Sequence, residues 1–508
     1  MSHARNLLCM ISLVYLTGLY LTGCASFSGI HPEAKIQASD SGASAQNKPD
    51  IQWLDAKWWE VLDDEQLNRL IDQGTAKSPT LRQADARVRR AIARAHEIGS
   101  GNMPSVDANA NMSYHRWPMD DHYGGGLFGE GTWDNTANLQ FGYHMDFFGR
   151  QKNRDLRSQA GIAVSMASQR AATLQLEGNL LRSYIQLALD YRQLDVEHAR
   201  LAQQQQIVQL NRQRLDSGLG SQYDLKQSQA LLPVTRRRIS ALGAAIALTK
   251  NQLITLAGLS LDQTAKIKRP KLVLTDKIAL PDALPVDLLG HRPDLVAGRW
   301  QIVSAARGID LAKADFYPNI NLQAMVGQMM TVGSLVNWFD KSNRAYSIGP
   351  ALSLPIFDGG ARRARLGIAT ADYDEAIEGY NAALQNALRE VSDQLIRQES
   401  IREQSALADE GVDRANQVYE TAKAAFRRGL RDYLHVLDAQ SRLFDQQIAR
   451  ATVRSRLMRA QVDLAIAMGG GVTFQFTPDT RQLLPGQGPK DRLARQKKIR
   501  TTPEQDRE

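Results

Sequence analysis

Ala137-Asn138-Leu139-Gln140-Phe141-Gly142-Tyr143-His144-Met145-Asp146-Phe147 alternates apolar and polar side chains without a break, and from Gln151 to Ser217 the chain then contains no proline. Successive side chains of a strand point to opposite sides, so the alternation predicts a strand with one apolar and one polar face. The proline-free run predicts a single helix of about 100 Å at 1.5 Å per residue. Upstream, Val106, Ala108, Ala110, Met112 and Tyr114 alternate with Asp107, Asn109, Asn111, Ser113 and His115, which supplies a partner strand. A helix over 79–99 precedes it, its only proline at the start.

The same order recurs farther along. Pro79-Thr80-Leu81 matches Pro293-Asp294-Leu295 and Met103-Pro104 matches Tyr317-Pro318, both 214 residues apart. Phe148-Gly149 matches Phe357-Asp358 at 209, and Gly218-Leu219, Gln229 and Gly258 match Gly429-Leu430, Gln440 and Gly469 at 211. Ordered landmarks with so narrow a spread of offsets indicate a tandem duplication, and the period is far longer than that of solenoid repeats. The second half predicts a helix over 293–315, a strand with Ile320, Leu322, Ala324 and Val326, and another with Ile348, Leu352, Leu354 and Ile356, weakened by Pro350 and Pro355. A second proline-free run follows over 361–428.

Along the first long helix Leu180, Tyr184, Leu187, Tyr191, Leu194, His198 and Leu201 alternate spacings of four and three, as a coiled-coil seam requires; Val412, Ala415, Tyr419, Ala422 and Phe426 keep that rhythm in the second. Turns at Gly218-Leu219-Gly220 and Gly429 open return arms over 222–257 and 431–468, each of about 55 Å. A return arm and a pre-strand helix, end to end, equal one long arm. Two short helices are therefore expected to stack coaxially beside each long one, with Pro233 kinking or interrupting the first return arm.

Strands of about ten to thirteen residues suit a tilted crossing of a bilayer. Trp117, Trp133, Trp338, Phe339 and Tyr346 mark one end of them and Phe147, Phe148, Phe316, Tyr317 and Phe357 the other, as two membrane interfaces favour. Leu139, Phe141 and Tyr143 then face lipid, and Asn138, Gln140 and His144 face a lumen. Four strands cannot close a barrel, so the chain must associate with copies of itself. The amino-terminal run Leu7 to Leu21, preceded by His3 and Arg5, is a short apolar export signal ending in Leu21-Thr22-Gly23-Cys24. That stretch resembles the lipobox of bacterial lipoproteins, in which the cysteine is lipidated; Cys9 would be removed with the signal. No disulfide is then possible in the mature chain.

Tyr143-His144-Met145-Asp146-Phe147-Phe148-Gly149-Arg150, Leu284-Pro285-x-x-Leu288-Leu289-x-x-Arg292-Pro293-Asp294, Gly349-Pro350-x-Leu352-x-Leu354-Pro355-Ile356-Phe357-Asp358-Gly359-Gly360 and Met468-Gly469-Gly470-Gly471 resemble the TolC-like outer-membrane efflux family, in its lipoprotein branch, from about Trp53 to Thr473. The resemblance implies an α+β membrane protein: a homotrimer whose twelve-stranded outer-membrane β-barrel, four strands per chain, continues into a long periplasmic α-helical barrel. It implies a periplasmic adaptor protein and an inner-membrane pump as partners, outer-membrane lipid around the barrel, and drugs or other small toxic compounds as exported cargo. It further implies a gate at the helical tips. Carried over from Gly218 and Gly429, the gate residues are Asp224, the linking Arg431 and the ring carboxylate Asp438, with His435 where the family has a second acid.

The expected organisation is a signal peptide over 1–23, a lipidated segment over 24–60, a first repeat over 61–270, a linker over 271–283, a second repeat over 284–471 and a carboxy-terminal segment with a basic tail over 472–508. The net charge of +8 owes much to that tail, from Lys490 to Arg507, which follows Pro485, Gly486, Gly488 and Pro489 and reads as solvated rather than as a nucleic-acid patch. Nine histidines contain no His-x-x-His or His-x-x-x-His pair, Asp120-Asp121-His122 lies among glycines of the 118–133 loop, and no serine has a nucleophile-elbow context. No catalytic, cofactor or metal residue is assigned. The competing readings are a periplasmic coiled-coil adaptor lipoprotein, which would carry a lipoyl-like domain instead of two amphipathic hairpins, an outer-membrane exporter of a secretion system, and a lipoprotein hydrolase, which would need a catalytic set.

Overall fold

The computed structural model describes residues 26–37, 57–116, 131–274, 292–330, 338 and 340–471. Cys24, Trp117, Phe339, most of the 118–133 loop, most of the 271–283 linker and the basic tail lie outside the described residues. In chain order the elements are a 3₁₀ turn at Trp58–Leu62, helices α1 (Glu65–Lys77) and α2 (Pro79–Ser100), strands β1 (Ser105–Arg116) and β2 (Gly131–Met145), and helices α3 (Arg150–Asp216) and α4 (Gln222–Leu256). Then come α5 (Pro293–Ala314), β3 (Asn319–Met330), β4 (Arg344–Ser353), α6 (Ala361–Arg427) and α7 (Tyr433–Ala467). The long helices α3 and α6 have 67 residues each and the return helices α4 and α7 have 35 each.

Among the described residues four strands form one antiparallel sheet in the order β1-β2-β3-β4, which leaves β1 and β4 as its outer edges. Register is set by the alternation, because a slip of one residue would turn every apolar side chain to the polar face. Val106, Phe141, Ala324 and Ile348 form one cross-strand row, and Ala108, Leu139, Val326 and Tyr346 the next on that face. Gly327 allows β3 its close approach to β2, since a Cβ there would lie 2.2 Å from the Ala137 carbonyl oxygen. β2 is longer than expected, at 15 residues, and β4 stops at Ser353, leaving Leu354 and Ile356 beyond it. Pro350 lies inside β4 opposite Leu322, where a missing N–H is tolerated because β4 is an edge strand.

Next to the sheet the helices pack in the order α2–α3–α5–α6; toward the hairpin tips the order is α4–α3–α7–α6. The short helices meet end to end where the two layers join. A Cβ on Gly258, just past α4, would stand 2.6 Å from the Lys77 carbonyl oxygen at the head of α2. In the second half Arg292, at the head of α5, donates to the Ala467 carbonyl oxygen at the end of α7 (3.0 Å) and to Glu390 of α6 (3.0 Å). The expected coaxial stacking is present in both halves.

Pro233 neither interrupts nor ends α4, which runs through it. Both Pro233 and Gln229, whose carbonyl the proline leaves without its helical donor, are exposed, so water can serve that carbonyl. α4 is long and apolar enough by composition to cross a bilayer, yet Leu253 and Ile254 are fully buried in the helical core and Lys250 stands over the Tyr191 ring at 5.8 Å. The first seam also departs from expectation. Leu180, Tyr184 and Leu187 are fully buried, but His198 is exposed and its neighbours Glu197 and Arg200 are buried instead. Around the middle of α3 the Tyr184 hydroxyl donates to Asp64 (2.9 Å), which also caps α1 and accepts from the Lys271 N–H. Burial, with that carboxylate beside it, pushes the phenol's pKa up and keeps it a donor.

Candidate functional site

Two regions have the makings of a function: the polar face of the sheet and the tips of the two helical hairpins. On the sheet, Asp107, Gln140, Met325 and Ser347 form one row and Asn109, Asn138, Gly327 and Ala345 another. Nearer the helices His144 stands opposite Asn321, its Nδ1 2.8 Å from the Asn321 Oδ1. The structure thus puts Asn138, Gln140 and His144 on one face, while Leu139 and Tyr143 on the other are 51% and 38% exposed. Large apolar side chains left in the open along a whole sheet face need an apolar medium or a covering partner.

At the tips the backbone turns through Gly218 and Gly429, each at φ +72°, a conformation that a Cβ would strain. Asp224 completes a capping box at the head of α4: its N–H donates to Ser221 Oγ (3.1 Å), and its carboxylate accepts from the Ser221 hydroxyl (2.7 Å) and N–H (3.3 Å). Arg431 is exposed one residue before the α7 N-cap, and within one chain no bond joins it to Asp224. Asp438 pairs with Arg442 one turn along α7 (3.1 Å), and His435 is exposed.

The contact that does tie one hairpin tip to the other is Arg214 of α3 with Asp432, the N-cap of α7. Burial acts to raise the Asp432 pKa, but the Leu434 N–H, the Arg214 guanidinium and the nearby His435 outweigh it, so the group stays below the usual carboxylate range. Beside the pair, the Phe426 and Tyr433 rings meet tilted at 52° with centroids 4.9 Å apart, and with Leu219 they line an open cleft of about 600 Å³. Further polar rungs run up the same α3–α7 seam: Arg200 with Asp445 (2.7 Å), Gln193 with Thr452 (3.3 Å), Gln186 with Arg459, and Arg182 with Asp463 (2.6 Å). The sequence reading missed this seam. Its signal was a set of polar residues at 186, 193, 200 and 214, multiples of seven apart, which places them on one helical face.

The stretch 26–37 lies along α6. The Glu33 and Ala34 N–H groups donate to Asp374, the Gln37 N–H donates to Asn381 Oδ1 (2.9 Å), and Arg363 binds the Ser26 and Ser28 carbonyls. Phe27 meets Phe316 edge-on at 5.7 Å. Ser26 is therefore fixed where the helices join the sheet.

The family model described as outer membrane efflux protein matches residues 70–259 and 284–470. The chain is 40% identical over 363 residues to the fusaric acid resistance protein FusA of Burkholderia cepacia, covering 70% of this chain and 68% of that one. Its fold matches the crystal structure of the outer membrane protein VceC of Vibrio cholerae with a TM-score of 0.73 at 30% identity, over 82% of this chain and 99% of that one. It also matches the Campylobacter jejuni CmeC outer membrane channel with a TM-score of 0.79 at 21% identity, over 89% and 97%.

Proposed function

Because this chain belongs to the outer membrane efflux protein family, we propose that three copies of it close edge to edge into one conduit, a twelve-stranded barrel continued by a helical tunnel. The chain is an outer-membrane channel of a tripartite efflux system. The observation that carries the closure is that, among the described residues, the sheet and the helices leave two open edges on opposite sides. One edge is β1, α2 and α4; the other is β4 and α6. A four-stranded sheet cannot close alone, whereas a barrel removes every unpaired edge. Leu139, Phe141 and Tyr143 would then meet lipid, and Asn138, Gln140 and His144 would line a water-filled lumen.

Cys24 would carry the lipid anchor. Ser26 lies two residues from it at the sheet–helix junction, the level at which the inner leaflet would end, so acyl chains on Cys24 could enter the membrane without unfolding the 26–37 stretch. The tips would meet a periplasmic adaptor protein linked to an inner-membrane pump. There the Arg214–Asp432 pair holds the two hairpins of one chain together, and Arg431, Asp224, His435 and Asp438 are exposed for contacts between chains or for lining the constriction. An ion pair this accessible contributes only about 0 to 1 kcal/mol, so adaptor docking could release it. The cargo would be small organic toxicants. Likeness to a fusaric acid resistance protein favours an amphipathic acid, and the lumen-face rows of Asn, Gln, Ser and His are mostly uncharged.

The test is export. In a host lacking its own channels of this kind, the chain expressed with a cognate adaptor and pump should lower accumulation of fusaric acid. Planar-bilayer recording of the purified protein should give a higher conductance for Arg214→Ala than for the native chain. Unchanged accumulation would refute the cargo class, and unchanged conductance would refute the role of the tip pair.

A further inference from the structure

We propose that two arginines of α2 and two acids of α6 form a ladder of ion pairs between neighbouring copies and thereby fix the register in which the copies close. This rests on the trimeric reading above. Arg87, Arg90 and Arg94 line one wall of a groove of about 440 Å³ between α2 and α3, whose floor is made of small residues such as Gly161 and Ala172. All three arginines are exposed, and within the chain none has an ion-pair partner among the described residues. On the opposite edge, α6 turns Asp372, Glu375 and Gly379 outward, likewise exposed, while Tyr373, Ile377 and Tyr380 are buried toward α5.

The two stripes stand at the same height, which can be measured through the packing of the chain itself. A Cβ on Gly308 of α5 would be 3.7 Å from Arg157 of α3, and one on Gly298 would be 3.2 Å from the Tyr380 ring of α6. Ten residues of α5 separate those points, so Tyr380 is level with about residue 167 of α3. Gln169 of α3 in turn bonds Asp85 of α2. Asp85 and Tyr380 thus differ in height by about two residues, or about 3 Å. α2 runs toward the sheet and α6 away from it. Arg90, five residues nearer the sheet than Asp85, is therefore level with about Ile377, between the exposed Glu375 and Glu378, and Arg94, nine nearer, with about Tyr373, next to Asp372. Opposite charges at matched heights on two edges that must meet would pair; a shift of one helical turn, about 5.4 Å, would part each arginine from its acid.

The experiment is oxidative cross-linking of the full-length lipoprotein in outer membranes. Arg90→Cys and Glu375→Cys are introduced together and singly, and copper phenanthroline is the oxidant. The double variant is expected to give covalent dimers and trimers in denaturing gels, and the single variants none. SDS-resistant trimers that yield no cross-link, or a cross-link within one chain, would overturn the register while leaving the trimer standing. Absence of any trimer would overturn the reading on which the ladder rests. As a second readout, Arg90→Glu with Arg94→Glu should lower the dissociation temperature of the SDS-resistant trimer by several degrees, and adding Glu375→Arg with Asp372→Arg should restore it. Equal stability of all three proteins would also overturn the ladder.

Discussion

Leu139→Arg and Gln140→Arg differ by one position in β2 and should have very unequal consequences. Leu139 lies close to the middle of the 15-residue strand, in the apolar row with Ala108, Val326 and Tyr346, and is half exposed within the chain. Gln140 lies in the next row with Asp107, Met325 and Ser347, also exposed, but on the polar face. An arginine on the lipid face near mid-bilayer costs about 2 to 4 kcal/mol. At 1.4 kcal/mol per decade that is a loss of about 30- to 1,000-fold in the assembly equilibrium per chain, and a closed trimer would carry it three times. An arginine at 140 would instead meet water and the Asp107 carboxylate, at a cost near zero. The assay is the fraction of protein recovered from outer membranes as a heat-modifiable, SDS-resistant species. Equal losses from the two variants would refute the assignment of faces.

Other outcomes follow from single contacts. Gly327→Val should block pairing of β2 with β3, because its Cβ would fall 2.2 Å from the Ala137 carbonyl oxygen; protease sensitivity of the outer-membrane form reports this. Arg292→Ala removes charged hydrogen bonds to Asp294, Glu390 and the Ala467 carbonyl, each worth about 1.5 to 3 kcal/mol, and should lower the thermal midpoint of the helical region in circular dichroism. The Arg214–Asp432 pair involves a carboxylate whose pKa is lowered on folding, so its contribution is present above the ordinary carboxylate range and is lost as pH falls through the lowered value. The native conductance due to this contact should therefore not change between about pH 5 and 8. Cys24→Ser should abolish incorporation of labelled palmitate, measured by immunoprecipitation after metabolic labelling.

The parts legible in the sequence were those with a strict local period. The absence of proline over 151–217 located α3 to within a residue at each end, and alternation over Ala137 to Phe147 located the helix-proximal part of β2 but not its first six residues, because both signals depend only on side-chain direction and backbone donors. The seam failed beyond Leu194, because below it α3 packs between α4 and α7 and buries charges that find partners there, such as Glu197 with Arg238 and Arg200 with Asp445. No local pattern announces a partner 218 residues away, so the sequence points to Arg431 by analogy of position and not to its neighbour Asp432. Pro233 misled for the converse reason. The cost of a proline depends on whether water can reach the carbonyl it frees, and that is known only once the exposed side of α4 is known.

Native mass spectrometry of the particle extracted from outer membranes tests the closure of open edges most directly. The account predicts one dominant species with the mass of three lipid-modified chains. A dominant monomer, or a species of two chains, would leave β1 and β4 unpaired and would contradict it.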